Sequence, residues 1–468
     1  MSKTRRERDF LGEREIPADA YWGIQTLRAL ENFPISGLRF EPEFIQAMAI
    51  IKKAAALENA AAGRLDLEKA GAIARAAEEV IEGKHLDQFV VDVYQAGAGT
   101  SFHMNMNEVL ANRAAEILGG ERGDHDLVHP NDHVNLGQST NDVFPSAMRL
   151  AALRRLGDLI PALDHLAGTL EAKSQEFGNV VKSGRTHLQD ATPLTLGQEF
   201  GGYARAVRRC KNHLQECADF LRELGIGGTA VGTGVLTHPG YREGMIRRIS
   251  EFMSGEVGNL RLSGDLFEAT QSNAPLSIVS GGLKALALEL IRIANDLRLL
   301  ASGPSTGLAE IELPAVQPGS SIMPGKVNPV MAEALDMVCF QVLGNDLTIS
   351  AAVQAGQLEL NVMMPVINFN LLQSIKILTN GLKVFTERCV KGIKADAEVC
   401  RNYALKSAGL ATLLRPILGY HKASELALEA LRVGKSIVEL AQQKGLLTKE
   451  QVEELISVRN LRPENKRD

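Results

Sequence analysis

Cysteine is scarce in this chain of 468 residues: there are five, Cys210, Cys217, Cys339, Cys389 and Cys400, with no C-x-x-C pair among them. An odd number spread so widely offers neither a zinc nor a dithiol redox motif and reads as reduced thiols of a cytoplasmic protein. Aromatic residues make up only 5%, with a single Trp, and no excess of positive charge exists. The formal charge of -5 gives no basic footprint for nucleic acid or anionic lipid. No uninterrupted apolar run of about 18 residues occurs, and the charged start Met-Ser-Lys-Thr-Arg-Arg-Glu-Arg-Asp has no apolar signal core. Secretion and membrane insertion are therefore not expected, and a small metabolite is the expected partner.

What is present is helical periodicity. Apolar residues recur at helical spacing from about Asn141 to Phe177 (Met148, Leu150, Leu153, Leu156, Leu159, Leu163, Leu166, Leu170), with Pro161 as the place for a kink. Similar stretches run from about Leu196 to Leu224, Leu276 to Ser302, Asn328 to Ala352 and Val366 to Lys391, all longer than an average globular helix. Five long helices in succession predict a mainly α protein built on a helix bundle. Glycine gathers between them, as in Gly225 to Gly234 and Ser302 to Gly307, and marks loops at the bundle ends. The chain divides into residues 1–139, with shorter helices and polar turns, a central bundle over 140–394, and a small helical part over 395–468 that ends in the polar tail from Arg459.

Four polar clusters lie at the edges of the long helices. Thr100 and Ser101 follow Gly97-Ala-Gly99; Ser139, Thr140, Asn141 and Asp142 precede the first long helix; Arg185 to Asp190 precedes the second; Gly319 to Pro329, reading Gly-Ser-Ser-Ile-Met-Pro-Gly-Lys-Val-Asn-Pro, precedes the fourth. Hydroxyls, amides, a His and a Lys are what a small dicarboxylate demands: donors for its oxygens, one cation and a proton acceptor. Ser139 to Asp142 is equally the pattern of a helix N-cap, and His187 equally that of a satisfied core histidine. Lys326 sits between Pro324 and Pro329 in a stretch with too little periodicity for core, and a loop so constrained usually holds something.

Three generic motifs come close and fail. Gly303 to Gly307 matches G-x-S-x-G but follows a helix and begins Gly-Pro. Gly319 to Val327 approximates a phosphate loop, with one residue too many and Val327 where a magnesium-ligating hydroxyl belongs. His125, His129 and His133 are spaced four apart among acidic residues, yet Pro130 argues against one helix presenting all three, so no metal site is expected.

At these clusters the chain resembles the aspartase/fumarase superfamily, whose signature Gly-Ser-Ser-x-Met-Pro-x-Lys-x-Asn-Pro is matched in full by Gly319 to Pro329. The likeness runs from Phe10-Leu-Gly-Glu through Asp19-Ala-Tyr-Trp-Gly and His129-Pro-Asn-Asp-His-Val-Asn to the C-terminal part. It implies a three-domain, all-α protomer whose long helices join those of three others in a homotetramer, with each active site shared by three subunits. Thr100-Ser101, Ser139 to Asp142, Thr186-His-Leu-Gln189 and Arg28 to Ser36 resemble the ammonia-eliminating members, whereas Gly227 to Gly234, Met323 to Lys326 and His129 to His133 resemble the class II fumarases. The segment at His129 also resembles the fumarases' accessory dicarboxylate site. Ser305, Gln354 and Met364 depart from the family pattern and put turnover rate in question.

The reaction so implied is reversible loss of ammonia from L-aspartate to give fumarate, with hydration of fumarate to malate as the alternative and a non-catalytic helical relative as a third. The resemblance makes Ser320 the base. It gives Thr100, Ser139, Thr140 and Ser321 the β-carboxylate, and Lys326, Asn328, Thr186 and His187 the α-carboxylate. Asn141 and His187 fall near the departing amine, with Glu333 orienting or charging His187. A serine hydroxyl holds its proton too tightly to act unaided, so backbone N–H groups of the Gly-rich loop are expected to stabilise its alkoxide. The β-carboxylate itself takes up the carbanion charge, so no organic cofactor is called for.

Overall fold

Ser139 starts the longest helix by a reciprocal cap. Its hydroxyl oxygen accepts from the Asn141 N–H at 3.2 Å, while the Asp142 carboxylate accepts from the Ser139 N–H at 3.0 Å. The computed structural model describes residues 3–253 and 255–461; the polar tail from 462 onward lies outside them. The chain opens with a hairpin of β1 (Thr4–Asp9) and β2 (Gly12–Pro17) and the helices α1 (Ile24–Asn32), α2 (Pro42–Ala61), α3 (Leu67–Ile81) and α4 (Thr100–Ile117). Then comes the capped helix, α5 (Thr140–Glu176), 37 residues and about 55 Å long, which runs through Pro161.

The other predicted long helices follow as α6 (Leu196–Asp219), then, after the short α7 (Tyr241–Phe252) and α8 (Leu266–Gln271), α9 (Ala274–Leu300), α10 (Val330–Gln354) and α11 (Met364–Arg388). α6 stops short of Leu224 because Phe220–Arg222 tightens into a 3-10 turn and Glu223–Leu224 becomes a strand. Helix α9 alone among the described residues is long and apolar enough to cross a bilayer. Lys284 and Glu289 interrupt it, and Lys284 pairs with Asp346 at 3.1 Å.

Two compact units divide the chain. One holds the residues up to Ile160 with Asn212–Ala285 and Phe340–Thr379, the other Pro161–Lys211, Leu286–Cys339 and the chain from Asn380. All five long helices contribute a segment to each. In the first unit α2 packs on α3 and α7, and α3 on α4. Its few aromatic residues are concentrated: Phe40 lies 5.0 Å from Phe44 and 4.9 Å from Phe102, and Phe44 lies 4.8 Å from Phe144, ring centre to ring centre. Phe40–Phe102 and Phe44–Phe144 meet edge-on, and such pairs contribute about 1 kcal/mol each beyond their burial. They fix the start of α5 against the start of α4, where Thr100 stands.

In the second unit β3 (Val181–Thr186) and β4 (Gln189–Thr195) form an antiparallel hairpin. The short helices between Ala397 and Leu455 hold a core of their own around Leu414, Leu426, Ile437, Leu440 and Val452. All five cysteines are free and buried, and burial pushes the thiols of Cys339, Cys389 and Cys400 up to about 12.

Candidate active site

Thr100 opens α4 after Gly97, Ala98 and Gly99, all three in left-handed conformation at φ +87°, +57° and +90°. Gly99 is required for a second reason, since a β-carbon there would lie 2.4 Å from the Phe144 ring. The tight turn leaves the Thr100 hydroxyl exposed, 2.6 Å from the Gly97 carbonyl and 3.3 Å from the hydroxyl of Thr140 at the first turn of α5. Asn141, next along, donates its side-chain N–H to the Ala230 carbonyl at 2.7 Å. Asp142 latches the glycine-rich loop to the same helix start: its second oxygen accepts from the N–H of Gly227 at 2.9 Å and of Thr229 at 3.2 Å. Ser139, Thr140 and Asn141 are thus held at a helix N-terminus, where partial positive charge favours an anion. The capping pattern and the polar cluster are the same residues.

Behind this cluster lies a group that the sequence reading missed. Lys52 of α2 is fully buried, its Nζ 2.6 Å from His103 Nε2 and 2.9 Å from Asn135 Oδ1. His103 of α4 is also buried, and its Nδ1 lies 2.8 Å from the Thr140 hydroxyl oxygen. Burial holds Lys52 well below the usual lysine range, with the Asp142 charge opposing. Burial, then the Lys52 charge, holds His103 well below its ordinary value, so its ring is neutral. The one available signal was a lysine inside the apolar run Ile50-Ile51-Lys52, a position that demands a buried partner.

The remaining predicted residues belong to the second unit. Thr186 and His187 are exposed at the tip of the β3–β4 hairpin, so His187 is not a core histidine. The two residues of the turn, His187 and Leu188, have φ of +56° and +59°, a conformation costing about 1–3 kcal/mol for a side chain of this kind. Asn-Gly would satisfy such a turn without strain, so both His187 and Leu188 stand here at a cost. Below it, Arg185 and Lys182 each lie 2.9 Å from the fully buried carboxylate of Glu310, and Lys182 reaches Glu199 at 2.6 Å. A cavity of about 370 Å³ beside this network is lined by Lys182, Arg185, Thr186, Leu188, Glu199 and Asp296, but by neither Ser320 nor Lys326.

The loop from Gly319 to Pro329 folds on itself. The Gly319 N–H donates to the Lys326 carbonyl at 2.8 Å, and the Asn328 side chain donates to the Gly319 carbonyl at 2.8 Å. Inside that ring the Ser320 hydroxyl oxygen accepts from the N–H groups of Ile322 at 3.1 Å and Met323 at 3.2 Å. Ser321 and Lys326 are exposed beside it. Glu333, in the first turn of α10, lies 3.9 Å from Arg298. Hairpin tip and loop make no hydrogen bond or ion pair with each other among the described residues. Thr100, Ser139, Thr140 and Asn141 form one group in the first unit; in the second, Thr186 with His187 and the Ser320 loop are two groups with no hydrogen bond between them among the described residues.

Around His129 the ring nitrogens serve the backbone. His129 Nδ1 accepts from the N–H of Asn131 and Asp132, and His133 Nδ1 accepts from the N–H of His129 at 2.8 Å. The short π-helical turn Pro130–Val134 makes this arrangement. Among the described residues no group of three or more His, Cys, Asp or Glu stands where it could hold a metal ion.

Comparison with known proteins agrees over nearly the whole chain. The family model described as "Lyase" matches residues 12–344, and that described as "Fumarase C C-terminus" matches residues 410–462. An aspartate ammonia-lyase of Bacillus sp is 52% identical over 451 residues, 96% of both chains. A class II fumarate hydratase of Halobacterium salinarum is 51% identical over 454 residues, 97% of this chain and 96% of that one. Among solved structures, a fumarate lyase:delta crystallin from Brucella melitensis bound to cobalt superposes with a TM-score of 0.95 at 48% identity, covering 98% of this chain and 100% of that one. A class II fumarase from Schistosoma mansoni gives 0.93 at 38% identity, covering 97% and 98%.

Proposed function

The chain belongs to the lyase family of the aspartases and class II fumarases, and on that premise we propose that it eliminates ammonia from L-aspartate to give fumarate, with Ser320 as the base. The observation that carries the mechanism is the pair of backbone N–H groups on the Ser320 oxygen. An alkoxide needs fixed donors, and two amides in a closed loop supply them without reorganisation when the proton leaves.

Ser320 removes the proton next to the β-carboxylate. The charge that develops on the β-carboxylate oxygens meets the hydroxyls of Thr100, Ser139, Thr140 and Ser321, each such donor contributing roughly 3 kcal/mol by analogy with oxyanion holes. Lys326, Asn328, Thr186 and His187 hold the α-carboxylate. Asn141 and His187 lie near the departing amine, and Glu333 keeps His187 oriented or charged. As the family resemblance implies, a complete site takes the Thr140 group, the hairpin tip and the Ser320 loop from different copies in a homotetramer. The reading places the protein in the cytoplasm, and its five free thiols support that.

Aspartate rather than malate rests on Thr100-Ser101, Ser139 to Asp142 and Thr186 to Gln189 and on the relatives named for that reaction. Fumarate hydration remains the second reading, favoured by the hydratase at nearly equal identity. Ultraviolet absorbance of fumarate separates them. Fumarate from aspartate and none from malate is the expected result; the reverse replaces the proposal with its rival, and turnover of neither returns the chain to a non-catalytic role.

A further inference from the structure

Lys52 and His103 are not themselves predicted substrate groups, yet their contacts end on one: the chain runs from Lys52 Nζ through both ring nitrogens to the Thr140 hydroxyl. A neutral imidazole carries one N–H and one lone pair, so it must donate at one end and accept at the other. Two arrangements satisfy the distances. In one, Lys52 donates to Nε2, and Nδ1–H then donates to the Thr140 oxygen. In the other, Nε2–H donates to an uncharged Lys52 amine, and Nδ1 accepts the Thr140 proton.

The two arrangements have opposite consequences for Thr140. The first uses a lone pair of its oxygen and leaves its proton free to point outward. The second consumes that proton, and the hydroxyl can then offer a substrate oxygen nothing. Asn135 Oδ1, 2.9 Å away, takes an N–H from Lys52 in either arrangement, and burial draws Lys52 toward the amine while the Asp142 charge opposes it, so the choice is made at the other end. At the far end, before substrate arrives, the Thr100 hydroxyl donates to the Gly97 carbonyl at 2.6 Å and has no proton left for Thr140, so the long 3.3 Å contact between the two hydroxyls falls to the Thr140 proton, which a substrate oxygen can draw away. Every group from Lys52 to Gly97 then has one consistent direction.

We infer that Lys52 and His103 are positioning residues: they fix the Thr140 hydroxyl as a proton donor aimed at the substrate carboxylate. The inference rests on the reading that Thr140 binds that carboxylate. The arrangement is preorganised, since three buried side chains on α2, α4 and α5 hold it before substrate arrives. His103 is buried, with side-chain hydrogen bonds to Lys52 and Thr140, so its effect on the site passes through the Thr140 hydroxyl.

The test is a set of variants assayed on whichever of aspartate or malate the protein turns over, with folding and assembly checked by melting and mass. His103→Leu lowers kcat by about ten- to a hundredfold with little change in KM, because the lost direction matters most when charge develops. His103→Asn, whose amide N–H falls near the Nδ1 position, recovers most of that loss, whereas His103→Gln, which reaches Lys52 but offers Thr140 no donor, does not. Added to Thr140→Val, His103→Leu lowers kcat no further. Equal losses from His103→Leu with and without Thr140, or full activity in both His103→Leu and His103→Gln, overturn the relay. If His103→Leu does not fold, the Asn and Gln variants decide. A slow Thr140→Val beside a fast His103→Leu overturns the relay alone, while an undiminished Thr140→Val removes Thr140 from the site and both readings with it.

Discussion

As the proposed base, Ser320 depends on a loop that keeps two amides turned onto its oxygen, and the residue that closes the loop is Gly319. A β-carbon on Gly319 would lie 2.3 Å from the Lys326 carbonyl that its own N–H binds. Gly319→Ala therefore pushes apart the two sides of the ring and turns the donors away from Ser320. Because the loop is exposed and carries little core, the expected outcome is a loss of kcat of about tenfold or more with an unchanged melting temperature. A normal kcat in this variant would detach the loop geometry from catalysis. Ser320→Ala goes further and removes the proposed base itself, so a fall of about a thousandfold or more is expected in a protein that still folds and assembles as the parent does. Near-normal turnover there eliminates Ser320 from its role. At this scale the sequence was legible in part. The hydroxyls, His187 and Lys326 stood out as polar clusters at the edges of the long helices, outside their apolar stripes, but Lys52 and His103 lie within helices far apart in the chain. What pairs them is the packing of α2 beside the starts of α4 and α5, and no local pattern carries that.

The long helices were readable to within a few residues, because an apolar stripe repeated over many turns leaves little freedom in placing a helix. The hairpin was not. Thr186 to Gln189 contains no Gly or Asn to announce a two-residue turn, and His187 and Leu188 adopt left-handed backbone in spite of their side chains. The brace below them, Glu310 with Lys182 and Arg185, joins residues more than a hundred positions apart. Another element is held by long-range polar contacts too. The first N–H groups of α1 donate to Glu108 of α4, which accepts from Gly23, Gln25 and Thr26 at 2.8–3.1 Å and from the Thr26 hydroxyl at 2.6 Å. Burial, reinforced by Glu7, pushes this carboxyl up to about 7 against those donors, from 4.5 when unfolded. Between pH 4.5 and 7 the folded chain thus holds a proton that the unfolded chain has lost, and stability from this group falls as pH rises through that window. Glu108→Gln removes the titration. Melting temperatures at pH 5 and pH 7.5 should differ less in the variant than in the parent; an equal difference in both would mean that Glu108 does not titrate there.

For the whole molecule the question is which chain supplies which group. Leu347 and Met337 of α10 are 72% and 68% exposed, large apolar side chains on a long helix that would be covered if α10 meets other copies. If each site joins the Thr140 group of one chain to the Ser320 loop of another, two inactive variants should complement each other. Thr140→Val spoils every site through one group and Ser320→Ala through the other. In a tetramer reassembled from equal amounts of both, a site draws both groups intact in about one case in four. Dissociating and remixing the two should therefore raise activity from near zero to about a quarter of the parent value, while each variant carried through the same steps alone stays inactive. A mixture that remains inactive, with exchange of chains shown by native mass, would mean that one chain supplies both groups. The proposed sharing of sites would then be wrong, whatever the leaving group proves to be.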